Sequence, residues 1–138
     1  MPVAVSTLAS APSTFVDGLN WIWPGKGSII GVFDGDKNRG LDIDGSAGDP
    51  VIAVANGVVV FARAGLNGYG KLIILKHNNS FLTAYAHNQA LLVTEGQVVN
   101  QGQKIAEMGS TEADRVKLHF EVRRQGNAVD PMKYLPAR

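Results

Sequence analysis

The sequence predicts an all-β fold: a compact antiparallel β-sandwich or barrel with little helix. Three observations carry that expectation. Short apolar stretches alternate with turn signals at intervals of roughly 8–12 residues. Glycine, at 16 of 138 residues, punctuates the gaps between them. No segment sustains the hydrophobic period of a helix over a useful length.

The elements follow in order. "SIIGVF" and "GLDID" read as the first two strands of the domain. "PVIAVANGVVVFARAG" reads as two strands broken near Asn56-Gly57, a pair suited to positive φ. "GKLIILKH" and "FLTAYAH" are joined by "NNS", which predicts a hairpin. "LLVTEGQVVNQGQKIAEMG" holds further short strands, with Gly96 and Gly102 at turns. Thr111 to Lys117 reads as a loop, and "KLHFEVR" and "RQGNAVDP" complete the sheet. In "KLHFEV", alternation puts Lys117 and His119 on one face and Leu118, Phe120 and Val122 on the other. Trp21 and Trp23, ahead of Pro24-Gly25, read as a hydrophobic clamp at one end of the core.

Composition narrows the function classes. With 45% apolar and 18% charged residues, the chain suits one folded domain with a substantial core. A net charge of +1 gives no reason to invoke nucleic acid or an acidic lipid surface. The absence of cysteine excludes disulfides, a thiol nucleophile and thiolate metal ligands. No apolar run reaches the ~18 residues of a membrane span. The Ala/Ser/Thr/Pro-rich start reads as a flexible linker or lead-in over residues 1–18, with the domain at 19–138.

The blocks "GLDID", "GYGKLIILKH", "YAHN", "GQKIAEMGST" and "LHFEVR" occur in the order found in the LytM-type (lysostaphin-like) zinc endopeptidase domain, which this chain resembles from about Trp21 to Leu135. The likeness is strongest to a division lipoprotein of that family. It implies the LytM-type (duplicated hybrid motif) fold. In active members, a histidine four residues before an aspartate, that aspartate, and the second histidine of His-x-His hold zinc. The histidine of Tyr-x-His and the first of His-x-His assist a zinc-bound water.

Carried over by position, the aspartate is Asp42, but Asn38 stands where its partner histidine belongs. The assisting histidine after Tyr85 is His87. His-x-His becomes Lys117-Leu118-His119, so a lysine replaces the first histidine. Two of three ligands and one of two assisting histidines remain. An amide oxygen is a poor zinc donor. The Lys117 ammonium would repel a dication and could instead pair with Asp42, lowering its pKa. Asp42 is expected to be held by backbone N–H groups or a cation, and Asp44 to be a turn carboxylate. His77 reads as a solvated strand-end histidine rather than a substitute ligand.

The expectation is therefore a non-enzyme: a degenerate metallopeptidase homologue with no cofactor. The resemblance implies a domain that binds and activates a periplasmic N-acetylmuramoyl-L-alanine amidase during septal peptidoglycan splitting. Its expected partner groove comprises Asn38, Arg39, Asp42, Tyr69, His87, Arg115, Lys117 and His119, with Glu112 and Asp114 at the rim. The full-length protein is expected to be an envelope-anchored lipoprotein attached through an upstream region. Two alternatives stay open: an active zinc endopeptidase cutting cross-bridges, and a peptidoglycan-binding module. A biotinyl- or lipoyl-carrying domain is disfavoured, because no lysine sits at a tight hairpin tip.

Overall fold

A computed structural model describes residues 12–138. The chain is already paired at Thr14, before the boundary at residue 18 that its composition suggests; residues 1–11 of the expected lead-in lie outside the described residues. β1 (Thr14–Val16) and β2 (Leu19–Trp21) form a hairpin. Asp17 and Gly18, with φ of 52° and 85°, supply the two positive dihedrals a tight two-residue hairpin turn requires.

Ten further strands build one sheet. They are β3 (Ile29–Gly31), β4 (Leu41–Asp44), β5 (Pro50–Ile52), β6 (Gly57–Ala64) and β7 (Lys71–Lys76). Then come β8 (Phe81–Leu91), β9 (Val98–Val99), β10 (Lys104–Met108), β11 (Lys117–Arg124) and β12 (Asn127–Val129). A 3-10 turn at Pro131–Lys133 follows, capped by the Asp130 side chain. The strand order is β3-β4-β11-β8-β7-β6-β9, with β10 joining β8 to β5 and β12 flanking β11. Every described pairing is antiparallel. The all-β expectation holds.

The hairpin at "NNS" forms, with Asn78 Oδ1 accepting the N–H groups of Ser80 and Phe81. Asn56-Gly57 does not make a positive-φ turn. β5 pairs with β10, while β6 pairs with β7 and β9. Gly57 is needed for space instead, since a Cβ there would stand 2.8 Å from the Lys76 carbonyl oxygen. Asn56 serves as an anchor: its side-chain oxygen accepts from Gln101 N–H at 2.7 Å.

The core collects the inward face of each strand. Leu41 and Ile43 (β4), Ile73 and Leu75 (β7), Tyr85 (β8), and Leu118, Phe120 and Val122 (β11) are fully buried. Burial of each large apolar side chain contributes roughly 1.5–3 kcal/mol. The tryptophan clamp is present. Trp21 packs on Phe81 and Tyr134, and Trp23 donates its indole N–H to the Pro136 carbonyl at 2.8 Å.

Candidate functional site

The same alternation that drives Leu118 and Phe120 inward turns Lys117, His119, Glu121 and Arg123 to the opposite face of β11. β4 lies alongside in a register that sets Asp42 opposite His119 and Asp44 opposite Lys117. On its other side β11 pairs with β8, which places small Ala86 next to His119 and leaves room above the sheet.

His87 reaches this face through a break in the strand. Strict alternation would put it on the core side with Tyr85. Between Tyr85 and Asn88, β8 holds one residue more than β7 does opposite, and His87 has a φ of 70°. At the same corner β8 leaves β11 and joins β10. Such a bulge re-aims a side chain, and the His87 ring ends 6.1 Å from that of His119. A left-handed backbone at a non-glycine residue costs about 1–3 kcal/mol. The corner is stapled to offset that. Asn88 Nδ2 donates to the Lys71 and Tyr85 carbonyls, and Thr111 Oγ1 donates to the Asn88 carbonyl. His87 Nδ1 donates to the Thr111 carbonyl at 2.8 Å.

The loop before β4 supplies a third wall. Asp34 Oδ1 accepts the backbone N–H groups of Asp36, Lys37 and Asn38, which hold its carboxyl below the usual range. Asn38 Oδ1 accepts from Gly40, and its amide nitrogen faces Asp42 at 3.5 Å. Gly40 permits a close approach here, since a Cβ would stand 2.2 Å from the Phe120 carbonyl oxygen.

A chain of charges crosses the floor. His119 Nδ1 lies 2.8 Å from Asp42 Oδ1, and its Nε2 lies 2.8 Å from Glu121 Oε2. Both ring nitrogens face carboxylates, so both carry protons. Burial alone would lower the pKa of His119, but hydrogen bonds and charges from Asp42 and Glu121 push it up to about 9. Burial likewise works against the two carboxylates, yet His119 holds both below their ordinary values, helped by Lys117 at Asp42 and by Arg123 at Glu121. Lys117 Nζ is 3.5 Å from Asp42 Oδ2. Glu121 also accepts from the Tyr69 hydroxyl at 3.0 Å and pairs with Arg123 at 2.7 Å.

These walls enclose a cleft of about 230 Å³ lined by Asn38, Arg39, Tyr69, His87, His119 and Glu121, among others. Asp42 is held by cations, as one of the two sequence expectations has it. Lys117 and Asp42 stand just off the cleft lining. Arg115 lies outside it, paired with Asp44, which also accepts the Gly45 N–H as a turn carboxylate. Glu112 reaches across to the Gly68 N–H at 2.9 Å, tying two rim loops together, and Asp114 is exposed. Among the described residues, no three His, Cys, Asp or Glu side chains converge as a metal site. A larger hollow of about 640 Å³ shares no residue with the cleft. It is mainly apolar, with Arg138 stacked 4.1 Å over Trp23.

Two sequence readings need correction. His77 is not a solvated strand-end residue: Nδ1 donates to the Asn56 carbonyl at 2.7 Å and Nε2 bonds Thr83 Oγ1 at 2.8 Å. Burial lowers its pKa. Glu121, only 1% exposed, joins the site although the sequence reading does not include it. Its signal was available, because it stands two residues beyond His119 on the same strand face.

Comparison with known proteins gives this geometry a family. The profile of peptidase family M23 matches residues 36–131, a span that holds every cleft residue named above. The chain is 58% identical over 120 residues to a lipoprotein NlpD/LppB homologue of Pseudomonas aeruginosa, covering 86% of this chain and 40% of that protein. It is 52% identical over 120 residues to the murein hydrolase activator NlpD of Escherichia coli, covering 86% and 32%. The chain thus spans two-fifths or less of the length of these relatives. Among solved structures, a zinc-containing peptidase from Vibrio cholerae superimposes with a TM-score of 0.78 at 27% identity, over 90% of this chain and 47% of that one. The catalytic domain of lysostaphin from Staphylococcus simulans gives 0.67 at 27% identity, over 93% and 94%. With the profile covering most of the sequence and the fold shared by its peptidases, the chain belongs to peptidase family M23.

Proposed function

We propose that this domain is a non-catalytic member of its family that binds and activates an N-acetylmuramoyl-L-alanine amidase for septal peptidoglycan splitting. One observation carries the reading: the donors a zinc ion would need are already spent. His119 directs both ring nitrogens at carboxylates, so neither offers a lone pair. Asp42 Oδ1 is 2.8 Å from that imidazole, a hydrogen bond, whereas two donors on tetrahedral zinc at ~2.0–2.1 Å lie about 3.3 Å apart. Asn38 contributes an amide, and Lys117 places an ammonium on the remaining Asp42 oxygen. These residues do not fit zinc.

The groove nevertheless keeps its walls, which suits it to receive a partner segment in place of a cross-bridge peptide. The name of the Escherichia coli relative, a murein hydrolase activator, supports an activating role. Activation then follows if the bound domain has higher affinity for the open amidase than for the closed one. The relatives named as lipoproteins support an envelope-anchored, periplasmic full-length protein.

The test is release of dye from labelled sacculi by a purified amidase, with and without the domain. Release enhanced only when both are present supports activation, and Lys117→Glu should reduce it. Dye release or cross-bridge cleavage by the zinc-supplemented domain alone would overturn the reading in favour of an endopeptidase. Sedimentation with sacculi and no effect on amidase would favour a wall-binding module.

A further inference from the structure

The three histidines of the sequence differ in one respect. His77 and His119 have both ring nitrogens engaged. His87 has one: Nδ1–H donates to the Thr111 carbonyl, which fixes the tautomer and leaves the Nε2 lone pair without a donor among the described residues. The residue is 6% exposed, lines the cleft, and its ring is aimed there by the left-handed corner of β8. Nε2 is accessible from the cleft, open to a donor that enters it, and strain collects where a side chain must be held in a working position.

We infer that His87 Nε2 is the acceptor with which the cleft recognises its partner, taking a hydrogen bond from an uncharged N–H or O–H donor on the inserted segment. This rests on the reading of the cleft as the partner interface. A neutral donor fits better than a cationic one, because Lys117 and His119 already engage the Asp42 and Glu121 carboxylates on this face. The ring itself stays neutral. Burial lowers its pKa, and the charges of His119 and Lys117 lower it further, outweighing the Thr111 hydrogen bond. His87 is thus a specificity-determining residue: a site built around a hydrogen bond discriminates strongly against a segment that cannot make it.

The test uses a purified N-acetylmuramoyl-L-alanine amidase immobilised for binding measurements against the whole domain. His87→Asn retains a residue that tolerates positive φ but ends short of the Nε2 position. It should weaken binding about tenfold while the melting temperature holds. Lys117→Glu should also weaken binding. If His87→Asn binds as the parent does and Lys117→Glu does not, the cleft reading stands and the inference falls. If neither variant weakens binding, the cleft reading fails and takes the inference with it. Should His87→Asn unfold, side-chain ¹⁵N spectra of the parent decide. The His87 Nε2 resonance must move on adding amidase, and an unmoved resonance overturns the assignment.

Discussion

The two faces of β11 are built from alternating residues of one eight-residue strand, yet they hold together by different physics. On one face Leu118, Phe120 and Val122 are fully buried among aliphatic and aromatic neighbours. On the other, Lys117, His119, Glu121 and Arg123 are bound to Asp42 and Tyr69 by hydrogen bonds and charge. Burial of apolar area is non-directional and insensitive to pH. The charged face depends on every partner being present, because a buried ion left alone is costly. The comparison teaches that the apolar face sustains the fold while paired charges on the other face shape the cleft.

The largest effect should come from the apolar face. Phe120→Ala leaves a cavity beneath the sheet and should cost about 3–5 kcal/mol in urea unfolding. A loss below 1 kcal/mol would mean that the core is not concentrated there. Next, Glu121→Ala strands His119 and Arg123 and should cost about 3 kcal/mol, with Glu121→Gln milder because it keeps two of the contacts. Equal costs for the two variants would show that packing, rather than charge, holds this face.

The third prediction separates the faces by pH. His119 is raised in the folded state, so its contribution is complete below the unfolded value near 6.5 and is lost as pH rises through about 9. Asp42 and Glu121 are lowered, so their contributions are present above the ordinary carboxylate range and vanish as pH falls through their folded values. His77 and His87 are lowered, so they add stability as pH rises toward 6.5. Stability should therefore peak near pH 6.5 and fall by on the order of 2–3 kcal/mol toward pH 10. His119→Gln should flatten the alkaline limb, and an unchanged limb would sink the imidazolium assignment. The smallest effect belongs to the rim: Arg115 and Asp44 are both about half exposed, and Arg115→Ala should cost less than 1 kcal/mol.

Most of the sheet could be read from the chain because alternation is a local signal. Each stretch expected as a strand from "SIIGVF" onward contains one, and the face assignment of "KLHFEV" is correct. Signals that depend on distant neighbours mislead. Asn56-Gly57 looks like a hairpin turn, but β5 finds its partner in β10, roughly fifty residues on. His77 looks solvated until the Asn56 carbonyl and Thr83 enclose it.

By itself, the sequence determined the all-β class, the apolar core and the identities of Asn38 and Lys117, four positions before Asp42 and two before His119. These follow from residue identity and from a period of two, both carried by neighbouring positions. Only the tertiary structure decided that His87 turns into the cleft and that His119 is shared between Asp42 and Glu121. The first needs a bulge where β8 changes partners, and the second needs the register of β4 against β11. Both are set by pairings between residues far apart in the chain, which no local pattern encodes.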